Sequence, residues 1–176
     1  NILVLAFAAA VPALAAGAAF VHFGIFDISA DTPHSRPVHW LVETVRERSI
    51  AMRSRNIQVP PLDVLNNQAL IAQGAGDYSA MCTGCHLAPG MDEDSELRAG
   101  LYPQPPNLSR PSDLSPAEMF WTIKHGVKMT ARPAWGQTHD DQRVWAMGAW
   151  IQKLPEVSPH QYPDLAMAAR GDGPGP

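Results

Sequence analysis

Two cysteines and a histidine stand within the run CTGCH, residues 82–86, and this run constrains the chain more than any other feature. Cys82 and Cys85 are the only cysteines present. Two thiols separated by two residues lie on one helical turn, from which both can add to the two vinyl groups of one haem. A His directly after them can bind the iron. The run therefore predicts a site for one covalent haem c, with His86 as the proximal iron ligand.

Three other uses of paired cysteines fit this sequence poorly. A structural zinc site needs four ligands, usually including a second Cys or His pair, and the sequence has no second pair. A thioredoxin-like redox pair is typical of a βαβ unit, and no convincing strand pattern lies near Cys82. A disulfide between residues three apart would close almost no loop and would give His86 no role.

The first 26 residues form an apolar run that contains no Asp, Glu, Lys or Arg. As a helix they would reach roughly 39 Å, against about 30 Å of bilayer hydrocarbon. Pro12 is tolerated in a membrane-spanning helix. A cleavable secretory signal is the alternative, because Ala13-Leu14-Ala15 resembles a cleavage site, but the apolar run extends well past the length usual for a signal. We therefore predict a transmembrane signal anchor over residues 1–26.

Charge is divided unevenly along the chain, whose net charge is −4. Residues 1–55 carry five arginines and four acidic residues, whereas residues 56–176 carry eight basic and thirteen acidic residues. No basic stripe typical of a nucleic-acid-binding surface is present. The acidic second part favours a protein partner with a positive docking face.

Residues 27–61 are predicted to form a juxtamembrane segment. Its first part, residues 27–37, is polar and contains prolines, and apolar residues then recur at near-helical spacing from Val38 to about Met52. This helix either packs against protein or lies on the membrane surface, and the acidic residues on its polar face favour packing against protein. A stiff linker follows at Val59-Pro60-Pro61.

Residues 62–160 are predicted to form one haem domain with three main helices, at about 67–83, 115–126 and 139–154. The predicted caps and stops are Asn66 or Asn67 for the first, Ser115 with Glu118 and then Gly126 for the second, and Thr138 with Pro155 for the third. The residues after Gln161 are rich in Gly, Pro and Ala, which predicts a flexible tail over residues 161–176.

The helix order resembles the class I cytochrome c fold. Gly74 and Tyr78 precede Cys82 by eight and four residues, the positions at which the N- and C-terminal helices of that family cross, and Trp150 matches the aromatic residue that the last helix brings there. The resemblance covers about residues 66–155. It implies an all-α fold, in which a class I cytochrome c haem domain follows an N-terminal transmembrane helix and a juxtamembrane helix.

A second point of resemblance is the loop Pro105-Pro106-Asn107-Leu108, which is similar to the family's Pro-Asn-Leu loop. In that family, the Pro carbonyl accepts the Nδ1–H of the proximal His and fixes its orientation. The resemblance therefore implies that Pro106 and Asn107 belong to the haem-binding residues.

The stretch Gly126–Trp135 is similar to one found in bacterial membrane-anchored monohaem cytochromes c, but it departs at one position. Many class I cytochromes carry the distal Met ligand directly before Pro, where this chain has Arg132, and Arg does not ligate iron. Met129 is the remaining Met of this loop and is the predicted sixth ligand.

Three alternatives to Met129 remain for the sixth position of the iron: the imidazole of His125, the imidazole of His139, and an open or water-bound site. Arg132 either neutralises a haem propionate through its guanidinium or is a surface charge. Trp135 is expected to pack against the porphyrin.

The resemblance implies an electron carrier rather than an enzyme. The anchor would lie in the bacterial inner membrane and the haem domain in the periplasm, where the family receives its haem. Redox protein partners, most naturally in a larger respiratory membrane complex, would exchange electrons with it. An open-coordination haem protein that binds a gas or peroxide is the alternative, supported by Arg132. A structural subunit is a third possibility.

Overall fold

The computed structural model describes residues 2–93 and 95–170, and in these ranges all regular structure is helical. The α-helices are α1 Ile2–His22, α2 Arg36–Ser54, α3 Leu62–Leu65, α4 Gln68–Met81, α5 Thr83–His86, α6 Glu96–Ala99, α7 Pro116–His125, α8 Asp141–Lys153 and α9 Gln161–Arg170. Two 3₁₀ turns, Trp135–Gln137 and Leu154–Glu156, flank α8. The predicted all-α fold class is therefore confirmed.

The chain divides into two compact units, with the boundary between Pro33 and His34. The first unit contains α1, whose 21 residues are apolar except for the last, His22, and include none that is buried. By length and composition α1 is the one helix in the described part of the chain that could cross a membrane. The helix ends at His22, four residues before the end of the predicted anchor.

The second unit contains α2 together with all later helices, so the predicted juxtamembrane helix belongs to the same compact unit as the haem-motif helices. Helix α2 packs against α7, and it buries Ile50 and Ser54 near its C-terminal end. Its observed bounds exceed the predicted 38–52 by two residues at each end.

The core of the second unit is the crossing of α4 and α8. A Cβ atom added at Gly74 would lie 2.0 Å from the carbonyl oxygen of Ala146 and 2.9 Å from the Cβ of Trp150, so the crossing requires glycine at this position. Tyr78 and Trp150 are fully buried beside it. The predicted crossing is thus present, with the three residues together.

An ion pair that the sequence reading did not anticipate joins the same two helices. The Arg143 guanidinium on α8 donates to both carboxylate oxygens of Asp77 on α4, at 2.6 and 2.7 Å. Asp77 is buried whereas Arg143 remains partly exposed, so the pair lies at the solvent-facing edge of the crossing. This bidentate geometry fixes the rotation of α4 against α8.

The helix starts follow local capping rules, with one correction. Asn67 caps α4 by accepting from the N–H groups of Ala69 and Leu70, and Ser115 with Glu118 forms the predicted capping box of α7. Helix α8 begins at Asp141 and is capped by Asp140, not by Thr138 as predicted. The Asp140 carboxylate accepts from the Arg143 N–H at 2.8 Å, whereas the Thr138 hydroxyl lies 2.7 Å from His139 Nδ1.

Helix α9 corrects the prediction of a flexible tail over residues 161–176. Residues Gln161–Arg170 are helical and pack against α4, with Ala166 buried. Ser158 and Gln161 bond to each other's backbone N–H, at 3.3 and 3.1 Å, the reciprocal pattern that starts a helix. The remainder of the predicted tail, residues 171–176, lies outside the described residues.

Candidate functional site

The CTGCH run lies where α4 ends and the short helix α5 begins. Cys82 caps α4 by donating its N–H to the Tyr78 carbonyl at 2.9 Å, and His86 donates its N–H to the Cys82 carbonyl at 2.8 Å. Cys82, Cys85 and His86 therefore leave the backbone from a single helical turn. Cys82 and Cys85 are not joined in a disulfide, and both are half-buried. This is the local geometry that attachment of one haem through two thioethers requires.

The His86 ring is oriented by the loop that follows α6. Its Nδ1 atom lies 2.9 Å from the carbonyl oxygen of Pro106. A carbonyl oxygen only accepts, so Nδ1 carries the proton and Nε2 keeps its lone pair for a metal ion. Burial lowers the pKa of His86 to about 4, although the hydrogen bond to Pro106 opposes that effect. The imidazole is therefore neutral at neutral pH, which is the form that ligates iron.

Arg98 fixes the loop that carries Pro106, and the sequence reading missed it. This side chain is only 6% exposed and donates to the Pro105 carbonyl at 2.8 Å. The Leu108 N–H also donates to the His86 carbonyl, at 3.1 Å, so the loop is held at both ends. The sequence did contain a signal for the helix that carries Arg98. Serine is a favoured N-cap residue, and Ser95 caps α6 by accepting from the Arg98 N–H.

The Nε–H of Arg98 is buried and has no partner among the residues that the structure describes. Buried polar groups are nearly always hydrogen-bonded, so an unpaired buried donor near His86 is typical of a place where a ligand supplies an acceptor. The propionates of a haem have this chemistry.

The turn directly after His86 is bonded to α4. Leu87 is fully buried and has a φ of +64°, in the left-handed region that a branched side chain rarely adopts. The Tyr78 hydroxyl donates to the Leu87 carbonyl at 2.6 Å. Burial raises the pKa of Tyr78 above its usual range, so the hydroxyl stays protonated and remains a donor. Tyr78 thus holds the end of the haem-motif turn in place.

Met129 and Arg132 are both site residues predicted from the sequence, but the structure gives their side chains different surroundings. The Met129 side chain is 99% exposed and its φ is +58°, so the structure does not bring its sulfur to His86. Arg132 is half-buried. Burial raises the pKa of the Cys82 thiol to about 11, and the charge of Arg132 opposes that rise. Arg132 therefore places its positive charge near the haem-motif thiol.

The loop that contains Arg132 closes tightly on the end of α7. Gly126 has a φ of +66°, and a Cβ atom there would lie 2.7 Å from the Arg132 carbonyl oxygen and 2.8 Å from that of Pro133. Burial lowers the pKa of Arg132, against the effect of Cys82, but an Arg remains charged at any accessible pH. The loop therefore keeps a permanent cation beside the haem motif.

The two competing histidines have surroundings of their own. His125 is exposed and lines an open cleft together with Arg53 and Trp121. His139 is half-buried, and its ring lies edge-on to that of Trp135, with the ring centres 5.4 Å apart. Trp135 itself packs against the hydrophobic core of the second unit.

Asn107 serves the loop rather than pointing at the motif. Its amide nitrogen donates to Glu93 at 2.9 Å, and its side-chain oxygen accepts from the Ser109 N–H at 2.9 Å. Asn107 thereby shapes the turn that presents the Pro106 carbonyl to His86.

The residues present fit a covalent haem c. Two thiols on one turn would supply the attachment points, and the neutral His86 with its Nδ1–H engaged would supply the iron ligand. The unpaired Nε–H of Arg98 and the cation of Arg132 supply partners for negatively charged groups.

Comparison with protein families gives one result that agrees with this site. Residues 69–151 match the family described as "Cytochrome C oxidase, cbb3-type, subunit III". The matched segment begins in α4 and ends in α8, so it contains the CTGCH run, the 126–135 loop and the helix crossing. The searches of curated proteins and of solved structures gave no match.

The family match and the site geometry support the same conclusion. The matched family is a cytochrome c family, which implies a covalent haem c, and Cys82 and Cys85 have the spacing that its attachment needs. The match also indicates an electron carrier. Residues 69–151 are thus a cytochrome c domain, and with the apolar helix α1 the chain fits a membrane-anchored monohaem cytochrome c.

Proposed function

We propose that the protein is a membrane-tethered electron carrier that relays electrons between respiratory partners in the periplasm. The observation that carries the proposal is the engaged Nδ1 of His86, 2.9 Å from the Pro106 carbonyl, beside two thiols on the same helical turn. A haem c bound there supplies a one-electron couple. The chain's own residues hold it, orient it and set the charge around it.

Each residue of the site has a proposed role. Cys82 and Cys85 bind the haem covalently, and His86 is the proximal ligand, oriented by Pro106 through a turn that Asn107 shapes. Two others act on charge and solvent: Arg132 offers a guanidinium to a propionate, and Trp135 covers the porphyrin. A haem covered in this way is shielded from water, and the lower local dielectric strengthens the electrostatic interactions around it.

The tether and the family name support the proposed location and partners. An apolar 21-residue helix holding the carrier to the bacterial inner membrane would raise its effective concentration near membrane-bound partners. The matched family is described as a subunit of an oxidase, which supports partners within a larger membrane complex. The acidic composition of residues 56–176 favours a partner whose docking face is positive.

Met129 is the methionine that we propose as the sixth ligand. Its side chain is 99% exposed, so ligation requires the 127–131 segment to turn the sulfur inward. A hydrogen bond from the Thr130 hydroxyl to the Val127 carbonyl, 2.8 Å long, closes this segment and would have to adjust. Exposed loops are the parts of a protein that rearrange at the lowest free energy, so this segment can make the change.

A second function is favoured by one observation, the exposure of Met129 together with the partial burial of Arg132. If the iron keeps an open position beneath a guanidinium, the protein would bind a small gas or peroxide instead of only exchanging electrons. A distal cation is suited to stabilise an anionic or polarised bound group.

Carbon monoxide binding by the reduced protein distinguishes the two functions. The electron carrier is expected not to bind it, because both axial positions are filled, whereas the Met129→Ala variant is expected to bind it. The potential of this variant should also fall, since a thioether stabilises ferrous iron better than water does. Met91→Ala is the matched control, because Met91 is also exposed, at 45%, and lies outside the loop.

Each contrary result has a definite meaning for the site. Carbon monoxide binding by the reduced wild type would overturn the electron-carrier proposal in favour of gas or peroxide binding. A Met129→Ala spectrum identical to that of the wild type would overturn Met129 as ligand and would favour His125 or His139.

A further inference from the structure

Helix α2 carries a row of exposed apolar side chains that the second compact unit does not use. Leu41, Val45 and Met52 are spaced by four and seven residues, so they lie on one face of the helix, and Val42 lies beside them. Their exposed fractions are 54%, 60%, 58% and 51% in the order Leu41, Val45, Met52, Val42. We call these four residues the α2 stripe.

The opposite side of α2 already has its packing partner. Ile50 and Ser54, which are buried against the rest of the unit, lie about half a turn from the centre of the stripe at 100° per residue. The α2 stripe is therefore not the core-facing side of the helix. A second apolar face on a helix that is already packed needs a partner of its own.

Charge around the stripe is strongly one-sided. Residues 36–55 contain five arginines and only two acidic residues, whereas the whole chain is negative. Arg48 is adjacent to Leu41, Val45 and Met52 on the helix surface, and Arg55 lies on the same edge. Both guanidinium groups are exposed and make no ion pair with any residue in the described ranges.

The two acidic residues of α2 are turned away from the stripe and are neutralised within the helix. Glu43 pairs with Arg46 at 3.3 Å and with His39 at 3.2 Å, and Glu47 lies 3.6 Å from Arg46. The stripe and its unpaired arginines thus form a surface that is apolar at the centre and cationic at the edge. Such a surface is typical of helices that lie in the interface of an anionic bilayer.

The length of chain between α1 and α2 decides which partner is nearest. Only residues 23–35 separate the end of α1 from the start of α2. A flexible segment of this length has a mean end-to-end distance of about 20 Å. If α1 crosses the membrane, α2 therefore stays close to the lipid surface at all times, and a weak contact becomes well populated.

We propose that the α2 stripe lies on the surface of the membrane that holds α1, with its apolar side chains below the headgroups and with Arg48 and Arg55 on anionic lipid phosphates. The proposal rests on the proposed tethering. It assigns α2 a function that the cytochrome domain does not need for its own fold, which is to orient the haem domain on the bilayer.

The test uses the full-length, haem-loaded chain in vesicles of phosphatidylcholine and phosphatidylglycerol. A nitroxide is attached at Val45→Cys, and its accessibility to oxygen, which concentrates in lipid, is compared with its accessibility to a water-soluble nickel chelate. Leu62→Cys is the matched control, because Leu62 is 76% exposed but lies outside α2. Leu14→Cys in α1 reports the tether separately.

We expect the ratio of oxygen to nickel accessibility to be several-fold higher at position 45 than at position 62. Equal ratios at these positions, with a lipid-buried label at position 14, would overturn the α2 proposal and leave the tether intact. A water-exposed label at position 14 would instead contradict the tethering, whatever position 45 shows. A label at position 45 that is in water in lipid vesicles but shielded in native membranes would indicate a protein partner and would overturn the lipid assignment.

Charge provides an independent arm of the same test. Arg48→Gln combined with Arg55→Gln should lower the docked-to-free ratio on anionic vesicles by about 30-fold, because each arginine near an anionic surface contributes about fivefold to the affinity. The loss should be smaller in high salt, which screens these contacts. Arg110→Gln with Lys153→Gln removes the same charge elsewhere on the surface and should leave the ratio unchanged. An equal loss in both double variants would show a general charge effect and would contradict specific docking of α2.

Discussion

Gly74 is the residue on which the approach of α4 to α8 depends most directly. The nearest atom to an added Cβ would be the Ala146 carbonyl oxygen, at 2.0 Å, and a backbone atom in a helix does not swing aside. Because Cys82 ends the same helix, the position of α4 also determines where the haem motif stands. The absence of a side chain at Gly74 therefore affects both the packing of the core and the position of the haem motif.

Gly74→Ala is expected to destabilise the protein by about 3 kcal/mol or more, since overpacking at a backbone contact forces the helices apart. Urea unfolding of the haem-loaded protein measures this loss. Gly148→Ala is the matched control: Gly148 lies in α8, but no atom stands within 4 Å of its added Cβ. This control should be neutral or gain up to about 1 kcal/mol from helix propensity. Equal midpoints for the two variants would contradict the role of the crossing.

Helix α7 shows how strongly a local signal determines an element. Ser115 and Glu118 bond reciprocally, with the Glu118 carboxylate accepting from the Ser115 N–H at 2.9 Å and from its hydroxyl at 2.7 Å. The side-chain hydrogen bond to Ser115, then the backbone bond, lowers the pKa of Glu118. The folded state therefore favours the ionised form of Glu118.

Stability should depend on pH through this cap. Because the folded-state pKa is the lower one, the contribution of Glu118 is fully present above the ordinary pKa of glutamate and is lost as the pH falls through the lowered value. Glu118→Gln should lower the melting temperature at neutral pH, and the difference from the wild type should shrink on acidification. Ser115→Ala, which removes the cap at a cost of about 1 kcal/mol, should abolish most of that pH dependence. A difference that stays constant with pH would refute the assignment.

The elements that the sequence predicted are those with local causes. Three of them depend only on residues a few positions apart, and the structure has all three: the capping box of α7, the Asn67 cap of α4 and the CTGCH turn. Helix α9 carried the Ser158–Gln161 signature, but the Gly, Pro and Ala content of residues 161–176 as a whole concealed it. The start of α8 was misplaced because Thr138 and Asp140 are both acceptable caps, and the choice depends on where the 3₁₀ turn before the helix ends.

The interior of the site was harder to predict because its contacts join distant parts of the chain. Arg98 and Pro105, or Asp77 and Arg143, meet only after the helices have packed. Met129 and Arg132 are three residues apart, and the turn between them decides which side chain faces inward. The backbone φ of +58° at Met129 is a property of that folded turn, and spacing alone does not reveal it.

At the scale of the whole molecule the chain has two separate compact units, and the first holds only α1 and the residues up to Pro33. Removal of the anchor therefore takes no residue from the second unit. The residues of its buried core, which include Tyr78, Met147 and Leu154, all lie between positions 75 and 154.

Deletion of residues 1–30 behind a cleavable signal should therefore release a haem-loaded domain into the soluble fraction at high ionic strength. Fractionation and haem staining after denaturing electrophoresis measure both properties at once, and the full-length chain is the control. Loss of haem together with release would contradict the independence of the second unit. Continued tight membrane association at high salt would indicate that α2 or a partner subunit holds the domain.

The order of the helices along the chain has a consequence for biosynthesis. The two thiols lie at the end of α4, but the helices that pack against α4 come much later: Asp141, the first residue of α8, follows Cys85 by 56 positions, and α9 follows α8. A chain grows from its N-terminus at about 5–20 residues per second, so roughly 3–11 s pass between the emergence of the motif and that of α8. Until these later residues have followed, the crossing of α4 and α8 cannot form, so Cys82 and Cys85 stand beside an unfinished core that the arrival of Trp150 completes.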